Sequence, residues 1–293
     1  MTLEQLRIFI AVAEREHLTQ AADALALTPS AVSASIRALE ERYDTPLFHR
    51  VGRGIQLNEA GRAFLAEARA TLAAARNAEQ ALADLAGLQR GALAVHASQT
   101  IASYWLPPLL TRFHRQYPLI ALSLTIGNTS SVAQAVQEGS ADLGLVEDSV
   151  DDGELTIAAV AQDRMVIVVA PDHPWADGRP LDADALRSAE WLLREQGSGT
   201  RSAFEASLAR LGVTPDQLNV ALALPSNEAV RSAAMAGPYA TAVSELVVAS
   251  QLQAGLLREA NLALPPRPFL LLHHRQRQAS RAAQALEQML AAA

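Results

Sequence analysis

Three short polar loops carry the residue types best suited to holding an anion. Ser98-Gln99-Thr100 follows an apolar run at 92–97, Asn128-Thr129-Ser130 follows one at 121–126, and Gly197-Ser198-Gly199-Thr200-Arg201 follows one at 191–194. Each run reads as a strand and each loop precedes a helical pattern, so free backbone N–H groups and hydroxyls gather at helix starts. Gly197 and Gly199 let backbone approach a ligand closely. Arg201 offers a fork for a carboxylate or a sulfur oxyanion. Plain alternatives stand beside these roles. Ser98 and Thr100 also suit simple capping, and Arg201 suits a surface position on a first helical turn. Glu147, after the run at 143–146, either reads a ligand donor or stays solvated. Ser226 either lines the same place or caps the helix beginning at Asn227.

A second set of residues lies near the N-terminus. Thr28, Pro29, Ser30, Ser33 and Arg37 fall on one helical stretch, and Arg50 and Arg53 fall in a segment, 45–57, that contains no acid. Arg is the better fork for phosphate and guanine edges, and an acid-free hairpin suits phosphate or minor-groove contact. Thr28 also reads as a helix cap, and Ser33 and Arg37 as a solvated face. Catalytic constellations are not legible. The seven His are scattered, and Ser198 lies in Gly-Ser-Gly, not in the Gly-x-Ser-x-Gly elbow of strand-to-helix hydrolases. With no Cys, disulfides, Cys-ligated zinc, iron–sulfur clusters and thiol catalysis are excluded.

The elements that position these residues follow from periodicity and punctuation. Leu6, Phe9, Ile10 and Ala13 share one face of a helix over 3–15. A second helix runs from a Thr19 cap to about Ala26. Thr28 at the cap and Pro29 at the first turn start a third, running to Tyr43 and burying Val32, Ile36 and Leu39. This is the spacing of a helix-turn-helix. Residues 46–57 then read as a small hairpin turning at Gly52. Asn58 caps a long helix to about Leu85, on which Leu65, Ala68, Leu72, Ala75, Leu82 and Leu85 form a near-heptad seam broken at Glu79. With no neighbouring element in view to cover it, that seam predicts a homodimer. Beyond Gly87 and Gly91, strands and helices alternate, the mark of an α/β domain.

Bulk properties agree with two domains but do not by themselves point to nucleic acid. The chain has 293 residues and a net charge of −7, and its 24 basic residues are all Arg. Within residues 1–58 the Arg side chains are slightly outnumbered by acids. Where the Arg residues sit must matter more than how many there are. The opening Met1-Thr2-Leu3-Glu4 lacks a secretory pattern, and no apolar run approaches a membrane span, which predicts a soluble cytoplasmic protein.

Ala21-Ala22-Asp23-Ala24-Leu25, Thr28-Pro29-Ser30-Ala31-Val32-Ser33, Ile36-Arg37-Ala38-Leu39-Glu40, Pro46-Leu47-Phe48-His49-Arg50 and Leu57-Asn58-Glu59-Ala60-Gly61 occur in this order. With them the chain resembles a LysR-type transcriptional regulator over essentially its whole length. The stretch from Arg194 to Arg201 resembles the corresponding loop in the subgroup that controls sulfur and carbon-dioxide assimilation. The resemblance implies an α/β multidomain fold: a winged helix-turn-helix over 1–58, a linker helix over 59–88, and a two-lobe, periplasmic-binding-protein-like effector domain. One lobe would comprise 91–162 with 267–293 and the other 163–266, with crossings near Ala161–Asp163 and Leu264–Arg267. It implies a small anionic effector in the inter-lobe cleft and no other cofactor. It also implies a homotetramer of two dimers on pseudo-palindromic double-stranded DNA, and RNA polymerase as a partner if the protein activates. Many members carry Gln-Pro where this chain has Pro29-Ser30, and Arg-Gln where it has Ala34-Ser35, so base-edge contact is expected to be lighter here.

A solute receptor for transport and an enzyme are the rival readings. The N-terminal helices and the missing leader argue against the first. The scattered His residues argue against the second.

Overall fold

The computed structural model describes residues 1–52, 54–85, 91–148, 150 and 153–292. The chain clusters into two compact units, centred on Met1–Gly87 and on Leu88–Gln137 with Ala141–Ala293. Arg53 and the boundary at Gly87 lie outside the described residues, as does the side chain of Leu85.

In the first unit, helices Leu3–Arg15, Leu18–Leu25 and Pro29–Tyr43 precede the hairpin Phe48–Val51/Gly54–Leu57 and the long helix Glu59–Leu85. Local chemistry sets each start. Thr2 and Gln5 form a reciprocal capping box, and Thr28 Oγ1 accepts from the Ala31 N–H at 3.2 Å. The second helix departs from expectation. Its cap is His17, whose Nδ1 accepts from the Gln20 N–H, and Thr19 lies inside the first turn. Asn58 caps the long helix through the Gly61 N–H at 2.8 Å and ties it back to the Pro46 carbonyl. Gly61 is required there, because a Cβ would stand 2.1 Å from the Leu47 carbonyl oxygen. Val51 pairs with Gly54 across the turn, where Gly52 has φ +59°.

The core of this unit corrects the reading of the linker seam. Ala68 is buried, and Phe64, Leu65 and Leu72 pack against a cluster built from Leu6, Phe9, Val12, Val32, Ile36 and Leu39. Phe9 lies between the rings of Phe48 and Phe64. The chain's own first helix therefore covers the N-terminal half of the seam. Sequence alone did not reveal it as a cover, because it lies more than fifty residues away. Of the remaining seam positions, Leu82 is 69% exposed.

The second unit holds two sheets. The first runs Ile120–Gly127, Gly91–Ser98, Leu143–Val146, Arg267–His274, Leu155–Asp163 in space. Its first three strands are mutually parallel, and Arg267–His274 is antiparallel to both neighbours. The second sheet runs Thr241–Ser244, Met165–Val169, Arg258–Glu259. A parallel pair, Glu190–Arg194 and Asn219–Leu224, joins it through the Trp191–Ala240 bridge. The two-residue strand Arg258–Glu259 has no counterpart in the sequence reading. Separate cores back the two sheets, one around Leu93, Phe113 and Phe269, the other around Trp191, Phe204 and Ile167. Asp163 closes a strand of the first sheet, and Met165 opens one of the second two residues later. The helical pattern after the loop at 98–100 begins as a π turn, Ile101–Trp105, before the α-helix Leu106–Gln116.

Candidate functional site

In the first unit the helix Pro29–Tyr43 turns Val32, Ile36 and Leu39 inward. Thr28, Pro29, Ser30, Ala31, Ala34 and Arg37 are exposed, and Ser33 is half-buried at the flank of that face. Thr28 is shared between two tasks. Its hydroxyl caps the helix and lies 3.1 Å from Ser30 Oγ. Beside it, His49 and Arg50 are exposed on the hairpin. Glu40 fixes the hairpin's start by accepting from the Leu47 N–H at 2.7 Å and from the Phe48 N–H at 3.3 Å. A shallow helical face of small residues next to a cationic hairpin can enter a major groove while touching the phosphates alongside.

In the second unit one narrow cleft collects most of the predicted loop residues. Ser98, Gln99, Gly127, Asn128, Glu147, Arg194, Ser198, Gly199 and Thr200 line an empty volume of about 160 Å³. As it stands the space is too narrow to admit a water molecule, so a ligand enters only if the walls part. Two helices start at the cleft, Thr129–Glu138 and Gly199–Arg210. Asn128 Oδ1 is spent on the first, accepting from the Ser131 N–H at 2.9 Å. Ser198 makes no side-chain cap on the second. Gly199 lies so close to the opposite wall that a Cβ would be 2.9 Å from Thr129 Oγ1 and 3.2 Å from Glu147 Oε2. A Cβ on Gly197, where φ is +81°, would lie 3.2 Å from Asn128 Nδ2.

Two hydroxyls at this cleft have nothing to bond. Ser98 Oγ and Thr129 Oγ1 are buried and lack a hydrogen-bond partner among the described residues. An orphaned buried hydroxyl costs stability, so a pair of them at converging helix starts leaves hydrogen-bonding capacity unmet there.

Three predicted residues stand elsewhere. Arg201 does not line the cleft; its guanidinium donates to Glu205 Oε1 at 2.7 Å and to the Arg194 carbonyl at 3.2 Å. Glu205, four residues on, was the visible signal for that pairing. Ser226 is a cap, its Oγ accepting from the Ala229 N–H at 3.0 Å. Thr100 is buried, and its hydroxyl accepts from Asn227 Nδ2 at 3.1 Å.

Around Gln99, residues that the sequence did not single out complete the surroundings. Arg194 donates to both oxygens of Glu195 and to Asn227 Oδ1. Gln99 bridges the two lobes, accepting from the Asn227 N–H at 2.7 Å and donating to Glu228 Oε2 at 3.0 Å. Glu228 also receives the Tyr104 hydroxyl at 2.7 Å; burial and that carboxylate push the Tyr104 hydroxyl pKa up. Arg267 donates to Asp163 Oδ2 at 2.8 Å and to Thr200 Oγ1 at 3.2 Å, and Ser244 Oγ donates to Asp163 Oδ1 at 2.7 Å. Burial pushes the Asp163 carboxyl up, while Arg267 and Ser244 pull it back. Apart from the neighbours Arg194 and Glu195, these partners are separated by tens of residues and share no motif spacing, so no local pattern announces them.

Among the described residues no helix is long and apolar enough to cross a membrane, and no cluster of three or more His, Asp or Glu side chains is arranged to hold a metal.

Comparison with known proteins adds the following. Residues 3–62 match the bacterial regulatory helix-turn-helix protein family described as lysR, and residues 86–293 match the LysR substrate binding domain. The chain is 36% identical over 284 residues to the uncharacterized HTH-type transcriptional regulator YeiE of Escherichia coli K12, spanning 96% of this chain and 94% of that one. It is 32% identical over 292 residues to the RuBisCO operon transcriptional regulator of Allochromatium vinosum, spanning 99% and 95%. The regulatory domain of CcmR from Synechocystis PCC6803, solved in complex with 2-PG, superposes with a TM-score of 0.62 at 27% identity, spanning 69% of this chain and 96% of that one.

Proposed function

This chain belongs to the LysR family of transcriptional regulators, and we propose that it reads a pseudo-palindromic operator as a homo-oligomer under the control of a small anionic effector. Membership of the family brings a DNA-binding head and an effector-binding domain, and it removes the enzyme and transport-receptor readings. RuBisCO regulators among its relatives fit the carbon-assimilation subgroup that the loop from Arg194 to Arg201 resembles.

In the head, Thr28, Pro29, Ser30, Ser33 and Arg37 face the major groove, and Arg50 holds the flanking phosphates, a role the sequence also assigns to Arg53. A twofold pair of heads meets half-sites about 34–36 Å apart when they are one helical turn apart. The exposed end of the linker helix around Leu82 is the surface available for that pairing.

In the effector domain, lobes 91–162 with 267–293 and 163–266 close on the anion. Ser98, Gln99, Asn128, Thr129, Gly197, Ser198, Gly199 and Thr200 supply hydroxyls, amides and helix-start N–H groups, and Glu147 faces them. The observation that carries this reading is the pair of buried hydroxyls, Ser98 and Thr129, that no described residue satisfies. Binding shifts the lobes and resets the spacing of the heads within a homotetramer of two dimers, which requires the effector to prefer one assembly state, typically by about 1–3 kcal/mol.

Fluorescence anisotropy of the full chain on a duplex from its own upstream region tests the coupling, with 2-PG (the molecule bound by CcmR), glycolate and inorganic phosphate as trial effectors. At least one should shift the operator affinity severalfold. Binding of a trial anion with the same affinity whether or not operator is present would overturn the coupling.

A further inference from the structure

Glu147 sets a chemical condition on what the cleft accepts. This inference rests on the reading that a small anion binds there. The carboxylate follows the strand Leu143–Val146 and is 3% exposed, with Oε2 packed against Gly199 at the start of the facing helix. Its charge is felt at Asp163, another buried acid behind the cleft. The nearby cations are already engaged: Arg194 with Glu195, Arg201 with Glu205, and Arg267 with Asp163. No guanidinium among them is left to neutralise both Glu147 and an incoming anion.

Beside the helix-start N–H groups, the hydroxyls of Ser98 and Thr129 are donors at the cleft, each more than nine-tenths buried and unpartnered. Thr129 Oγ1 and Glu147 Oε2 both face Gly199 from the same wall, so an anion that takes the Thr129 hydroxyl also meets the Glu147 carboxylate. A fully deprotonated oxyanion would set acceptor against acceptor at Glu147 with no water to separate them. An oxygen that keeps its hydrogen turns the same contact into a charge-assisted hydrogen bond. We propose that Glu147 makes the cleft selective for small oxyanions bearing an O–H group, such as hydrogen phosphate or a hydroxy acid, over those without one, such as sulfate.

Two nearly isosteric pairs test this on the full chain near neutral pH by calorimetric titration. Inorganic phosphate keeps an O–H there and sulfate does not; glycolate has a hydroxyl that acetate lacks. Phosphate should bind at least about tenfold tighter than sulfate, and glycolate tighter than acetate, since a site built for a hydroxyl rejects the analogue without it. Glu147→Gln should bring the phosphate-to-sulfate ratio to within about twofold or invert it, because the amide can donate to sulfate. Equal binding of phosphate and sulfate by the unaltered protein, or a ratio unchanged in Glu147→Gln, overturns the selectivity and leaves the anion reading intact. Failure of all four ions to bind overturns both. If the variant does not fold, the two ratios in the unaltered protein decide the matter.

Discussion

The Asp163 carboxylate lies 2.7 Å from the Arg267 guanidinium, with side-chain exposures of 1% and 4%. Asp163 ends one strand, and Arg267 begins the antiparallel strand paired with it. The pair therefore sits where the chain leaves the first sheet and where it returns. Through Thr200, Arg267 also touches the start of the helix that lines the cleft. Removing one partner strands the other as a buried charge. Arg267→Ala should destabilise the effector domain by about 3–5 kcal/mol, and replacing both partners by apolar residues of similar volume should cost less. Denaturant unfolding of the single and double variants measures this. A double variant less stable than both singles would contradict it.

Ser98 and Thr129 should behave in the opposite way. Their hydroxyls are unpartnered without a ligand, so Ser98→Ala and Thr129→Ala should leave unliganded stability unchanged or slightly higher. Each should weaken phosphate binding roughly tenfold, a cost of about 1.4 kcal/mol. Thermal unfolding with and without phosphate separates the two effects.

Thr28 caps its helix with the same oxygen that the proposed reading places against DNA. Thr28→Ala should cost about 1 kcal/mol of head stability, whereas Thr28→Ser keeps the hydroxyl and should cost much less. Operator affinity should fall in the alanine variant and largely survive in the serine variant. A stability loss with unchanged operator affinity would reduce Thr28 to a cap.

His173 gives a pH dependence. Its Nδ1 accepts from the Trp175 N–H at 3.1 Å, so the ring is neutral in the fold. Burial pushes its pKa below the usual 6.5, with Asp172 opposing, and burial does the same at His96. The unfolded chain therefore takes up protons first as pH falls. The stabilisation from the neutral rings is complete above about 6.5 and is lost as pH drops from there through their folded values. Proton NMR of the imidazole signals should show both titrating below 6.5, and His173→Asn should flatten the acid side of the stability profile. Titration at or above 6.5 would contradict the assignment.

What the sequence made legible was the local chemistry. Thr28-Pro29 and Asn58 mark helix starts that need no tertiary information, and the loops at 98–100, 128–130 and 197–200 were found because each follows a strand and opens a helix. What escaped it was long-range. The linker seam looked uncovered because its cover, Phe9 and its neighbours, lies at the other end of the head. Arg267 and Asn227 reach the cleft through Thr200 and Gln99, 67 and 128 residues away. Arg201 escaped for a different reason: it offered a fork for an anion, and Glu205 one turn on takes that fork instead.

The central claim is that the helix beginning at Pro29, with the Arg50 hairpin beside it, reads a particular DNA sequence. Salt-titrated anisotropy of the full chain on its own upstream duplex, against a shuffled duplex of equal composition, tests it most directly. The upstream duplex should bind at least about a thousandfold more tightly. Arg50→Ala should weaken both duplexes alike and lower the salt slope by about one. Equal affinity for the two duplexes, or an affinity indifferent to salt between 50 and 200 mM on the scale where phosphate contacts act, would contradict the account.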